Sequence, residues 1–352
     1  MRCVPALPLT GWTRVAPTGQ FNYIVRMTTP PSAPGPVDVV NGKRLVSYVD
    51  LRKRALVQLK DDPVHNIYKQ IIAMMDGDRT WRALNEMRRL ADERRAGDAT
   101  WQSSAQNGML TDFIDTGYVA TQALAIRRLL EEKSSNPRGQ IISIRRVLAA
   151  VKGGRGFITR ECFVCHDGLP YDTAPGAAKA LELAAEKPDD IPWLDTEGSE
   201  GWAAAGLLHE AFDALSGVSP DRRSRDDLIR MEFFEELEAL LTDPAFETLE
   251  AYANKFVAHS ADERSRKEAG DDIAVTMDRI STCHEAIIKV FHALVGDVFQ
   301  VGTHSPVAMR SSPFIWLDKP MVATDQLPEL RQWWIRHGNA IEEHVGVRSA
   351  GG

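Results

Sequence analysis

Aromatic residues make up only 7% of this 352-residue chain, and cysteine occurs four times, at Cys3, Cys162, Cys165 and Cys283. So few cysteines exclude the dense disulfide framework that replaces a core in small secreted domains. The length instead suffices for one large core or two ordinary ones. No apolar run approaches the roughly 20 residues that cross a bilayer. The opening "MRCVPALPLTGWTRVAPTGQ" has one early arginine, an apolar run broken by prolines and no small-residue cleavage pattern, so it does not read as a signal peptide. These absences predict a cytoplasmic chain with no membrane partner, whose thiols are free or, less often, metal ligands.

Several chemical signatures are missing as well. There is no P-loop, dinucleotide glycine fingerprint, HExxH pair or nucleophile elbow. "LHEAFD" (208–213) holds a His-Glu pair without the second histidine a zinc site would need. The sequence therefore implies no cofactor. Strand signals are nearly absent too, "SPFIWL" (312–317) being the one candidate. A net charge of −7 argues against coating nucleic acid over the whole surface, while leaving room for a local basic cleft.

What is present is helical. "RTWRALNEMRRLADERR" (79–95) sets Trp81, Leu84, Met87 and Leu90/Ala91 on one side and arginines on the other. "FIDTGYVATQALAIRRLLEEK" (113–133) aligns Val119, Ala123, Ile126 and Leu130. "ISIRRVLAAVKGG" (142–154) opens on Ser143, an N-cap residue, and ends on two glycines. Further helical patterns run through 201–258, 271–299 and 328–344. The expected fold is an all-α multi-helix bundle over residues 37–345, with an irregular acidic segment at 167–200. Residues 1–36 read as a disordered tail rich in proline, with Met27 an alternative start.

Three stretches invite chemistry. "RECFVCHDGLPYD" (160–172) spells CxxCH, the haem-attachment pattern, and Cys162, Cys165 and His166 are also zinc-ligand types. Haem attachment requires an oxidising compartment, and zinc requires a second pair that only Cys283-His284 could supply. The default reading is two small apolar residues one turn apart in a helix interface. "YANKFVAHSADERSR" (252–266) continues a stripe of Phe246, Leu249, Ala253 and Phe256, with Lys255 and His259 four residues apart at its edge and Arg264 and Arg266 following. A neutral imidazole beside cations suits proton transfer at a ribose 2′-hydroxyl. The competing reading is a histidine closing a helix C-terminus. Arg279 and His284 also have suitable spacing, but lie about 140° apart round a helix, with His284 in the apolar stripe. In "RQWWIRH" (331–337), Trp333 and Trp334 are expected to pack the last helix onto the body, the alternative being exposed tryptophans beside arginine that stack bases. The arginine faces (Arg82, Arg88, Arg89; Arg127, Arg128; Arg145, Arg146) read by default as solvated surfaces balanced by glutamates.

"NKFVAHS" resembles the signature of the HEPN (higher eukaryote and prokaryote nucleotide-binding) superfamily, in particular its abortive-infection AbiU-type branch. "GYVATQALAIRRLLEE", "ISIRRVLAAV" and "TRECFVCHDGLPYD" are similar to segments of the same branch, and the likeness covers roughly residues 60 to 300. It implies an all-α protein of a phage-defence or toxin–antitoxin type system. It further implies metal-independent endoribonuclease activity in a homodimer, with RNA as substrate and an antitoxin or phage-derived trigger as partner. By the same resemblance His259 would be the catalytic histidine, with Asn254 and Lys255 beside it. The family arginine falls at Ala253 or Asn254, and neither is arginine. Phosphate stabilisation would then pass to Lys255, Arg264 or Arg266. The alternative is a non-catalytic RNA-binding or protein-interaction module with a degenerate site.

Overall fold

The computed structural model describes residues 41–100, 107–132, 141–186, 195–258, 274–302, 319 and 323–346. Eleven α-helices lie within them and no β-strand does; one isolated bridge joins Thr159 and Leu228. The fold is all-α. The tail, the 312–317 strand candidate, His259, Arg264 and Arg266 lie outside the described residues.

Helix starts follow side-chain chemistry. Asn41 caps α1 (Gly42–Leu56), Asn66 caps α2 (Ile67–Gly97), Asn107 caps α3 (Gly108–Leu130) and Ser143 caps α4 (Ile144–Gly153). In each, the side-chain oxygen accepts a backbone N–H that the first turn leaves without a partner. Thr159 does the same for α5 (Arg160–Cys165). The helices α6 (Ala174–Glu186), α7 (Trp202–Ser216), α8 (Met231–Leu240) and α9 (Pro244–Tyr252) follow, then α10 (Met277–His292) and α11 (Leu327–Gly346). Gly217 ends α7 in the left-handed conformation, at φ +71, where a Cβ would be strained. Within the 167–200 segment the alanine-rich stretch forms α6, as its composition leads one to expect.

Three π-helical stretches extend α1, α9 and α10: Val57–Asp61, Ala253–Ala258 and Ala293–Val298. α3 is central, packing against α2, α4, α9 and α10, while α5 and α6 pack on α7. Ile126, Leu129, Leu148, Leu249 and Ile287 are fully enclosed; each such side chain contributes roughly 1.5–3 kcal/mol. The apolar core reaches from Tyr48 to Phe299. It does not reach α11: Trp333 is 50% and Trp334 59% exposed, against the expectation that they pack that helix down. No helix among the described residues is long and apolar enough to cross a membrane.

Candidate functional site

The sequence places the strongest candidates at the end of α9, and the backbone there departs from an α-helix. Phe246, Leu249 and Ala253 are buried as the stripe predicts, but Phe256 is 49% exposed. The reason is the π-helical stretch Ala253–Ala258. Its hydrogen bonds reach five residues back rather than four, so each residue turns through less than 100° and the stripe swings away from the core. Phe256 then lies against Tyr252, rings stacked at 5.4 Å, while Asn254 and Lys255 are half-buried. This segment packs against α3. Of the predicted catalytic and RNA-binding residues, the described structure thus brings together Asn254 and Lys255; His259, Arg264 and Arg266 fall beyond it.

Ala253 is wholly enclosed. A guanidinium there would enter the core without a partner, which is costly. The absence of arginine at that position is therefore tied to packing, whereas Asn254 is half-buried.

The other sequence candidates are structural. Cys162 and Cys165 are buried free thiols on α5, facing the core as the default reading has it, and burial raises the Cys162 pKa. His166 donates from Nδ1 to the Phe163 carbonyl and meets the Tyr48 ring edge-on. Among the described residues no group of three or more His, Cys, Asp or Glu is placed to hold a metal ion. Arg279 is exposed while His284 is buried, so the two make no catalytic pair.

Two buried polar networks were not apparent from the sequence. In the first, Arg160 is fully enclosed in α5. It donates to Asp227 (2.8 Å), Asp213 (2.7 Å), the His209 carbonyl (3.1 Å) and Ser216 (3.3 Å), and lies over the Phe212 ring. Arg223 adds a fork to Asp213, and Arg225 pairs with Glu161 above Tyr171. Burial works against the Asp213 charge, yet Arg223 and Arg160 outweigh it and hold the carboxyl below its ordinary pKa. In the second, Tyr118 donates to Asp78 (2.6 Å), Arg82 donates to Asp78 (2.8 Å) and Ser281 (2.9 Å), and His284 bonds Gln122 (2.9 Å). Burial lowers the His284 pKa to about 4. It is a neutral core histidine, positioned by α3, as its place in the stripe suggested.

The arginine faces are balanced by acidic partners, as the default reading has it, with Arg89 paired at the exposed surface and Arg88 and Arg145 partly buried. Arg88 is held by Asp115, Arg89 by Glu86 and Glu93, and Arg145 by Glu132 and the Leu241 carbonyl. Searches of family models, curated proteins and solved structures found no match to the chain.

Proposed function

We propose that this chain is a HEPN-like protein of a phage-defence or toxin–antitoxin type system, acting on RNA at the end of α9. The observation that carries the reading is the π-helical stretch at Ala253–Ala258, which presents Asn254 and Lys255 directly ahead of His259. π-Helical turns are rare and are frequently found at functional sites, and of the three here this is the one that runs into the His259 motif. In the catalytic form of the proposal, His259 moves the proton at the 2′-hydroxyl or the leaving oxygen. Lys255, with Arg264 or Arg266, offsets the phosphate charge in a metal-independent endoribonuclease. A second copy would complete the site, as the resemblance implies.

The enclosure of Ala253 favours a second form, in which the same surface binds RNA without cutting it. Phe256, half exposed on Tyr252, offers a base a stacking face, which binding alone requires. The deciding experiment incubates wild-type protein and His259→Ala with total RNA in EDTA. Cleavage by wild type alone supports the enzyme. Retained binding without cleavage in both supports the binding form, and neither binding nor cleavage by correctly folded protein overturns the proposal.

A further inference from the structure

Every side chain of α11 from Leu327 to Ile341 is exposed, although the helix is rich in large apolar residues. By the 3.6-residue period Leu327, Leu330, Trp334 and Ile341 fall within a band about 60° wide, and Trp333 and Ile335 flank it at mid-helix. The steps along that band are three, four and seven residues, the spacing of a seam between paired helices. Within the helix, His337 stacks on Trp333 at 5.2 Å, while Trp334 stays open to solvent. A helix with such a face is stable in water when another element covers it. The body of this chain leaves it uncovered.

The charges identify the occupant. The first half of α11 carries Arg331 and Arg336, whereas the second half has Glu342 and Glu343 and neither lysine nor arginine. Positions 331 and 342 return to the same edge of the apolar band, within about 20° of each other round the helix. Two copies laid antiparallel about the middle of the helix therefore set Arg331 of each against position 342 of the other, a glutamate. A parallel pair would set like charges together. Gly338, which has open space where a Cβ would stand, leaves room in the same arrangement for the Trp334 indole of the second copy. Such self-complementarity is what a two-fold interface requires. A lipid surface fits less well, since interfacial helices carry an excess of Lys and Arg on the polar face and α11 does not. We propose that α11 pairs antiparallel with α11 of a second copy of this chain and so forms a homodimer. This pairing does not rest on how the α9 end acts on RNA.

The test is sedimentation velocity of the full chain from sub-micromolar to several hundred micromolar. One helix about 30 Å long makes a small interface, so a dimer that dissociates on dilution is expected. The double variant Trp334→Glu with Ile341→Glu should be monomeric throughout, with an unchanged melting temperature because both side chains lie outside the core. Arg331→Glu should weaken the dimer at least threefold, and adding Glu342→Arg should restore it. The swap restores an antiparallel pair alone, since in a parallel pair each position meets its own copy. A wild-type monomer at every concentration overturns the proposal. In that case a lowered melting temperature in the double variant places α11 on its own body, and flotation with anionic vesicles places it on lipid. A dimer that the double variant leaves intact, or a charge swap that restores nothing, overturns it equally.

Discussion

Replacing Arg160 by methionine removes the guanidinium and keeps most of the side-chain volume. Arg160 is fully enclosed and makes four hydrogen bonds, two of them to the carboxylates of Asp213 and Asp227. The ion pairs themselves return little net energy, because both charges lose water on burial. Breaking them from one side is different, since it leaves carboxylates in place with side chains only 15% and 12% exposed. Such a loss costs about 3–5 kcal/mol. Asp213 keeps Arg223, and Asp227 keeps the Ser224 backbone N–H, so the lower end, about 3 kcal/mol, is expected. For a chain of 352 residues that lowers the melting temperature by roughly 4 °C. Urea denaturation of wild type and Arg160→Met gives the difference directly, provided the slope with denaturant is unchanged. Arg160→Lys should lose nearly as much, because an ammonium cannot span both carboxylates with a planar fork. Arg89→Met, at an exposed pair, serves as the control and should leave the curve unmoved. A loss below about 1 kcal/mol in Arg160→Met would refute the reasoning that these charges depend on one another.

Other outcomes follow from the same geometry. His284 stays neutral in the fold down to about pH 4, whereas in the unfolded chain it gains a proton near its ordinary value. Stability should therefore fall as pH drops from about 6.5 towards 4, by about 3 kcal/mol from this group, and His284→Gln should flatten that slope in denaturation curves across pH. Ala253→Arg should destabilise by about 4 kcal/mol or more by forcing an unpaired cation into the core. Asn254→Arg, at a half-buried position, should stay within about 1 kcal/mol and is the variant in which to look for increased RNA cleavage. Cys162, Cys165 and Cys283 should resist a thiol reagent in native protein and react on unfolding, since all three are enclosed and burial pushes the Cys283 pKa up to about 12. Rapid labelling of any of them in native protein would contradict the core packing.

Local sequence determined the helices and many of their ends. A side-chain oxygen at Ser143 or Asn107 can satisfy an N–H only two or three residues away, and the burial of Ile126, Leu130 and Ala123 follows from a period fixed by backbone geometry. The position of His284 within its apolar stripe was readable for the same reason. Phe256 was misplaced because the 100° step assumes an α-helix, and the π-helical stretch that breaks it is held by packing against α3, which no local pattern encodes. Likewise, nothing near Arg160 marks it as the buried arginine. Its carboxylate partners lie 53 and 67 positions along the chain; the docking of α5 on α7 brings up Asp213, and the bridge between Thr159 and Leu228 brings up Asp227. The Tyr118–Asp78–Arg82 network belongs to the same class, since its members come from α2 and α3 and Arg82 reaches Ser281 on α10. Periodicity and capping act over a few residues and survive in the sequence; burial of charge and polar networks between helices depend on distant segments meeting, so tertiary structure alone decided them.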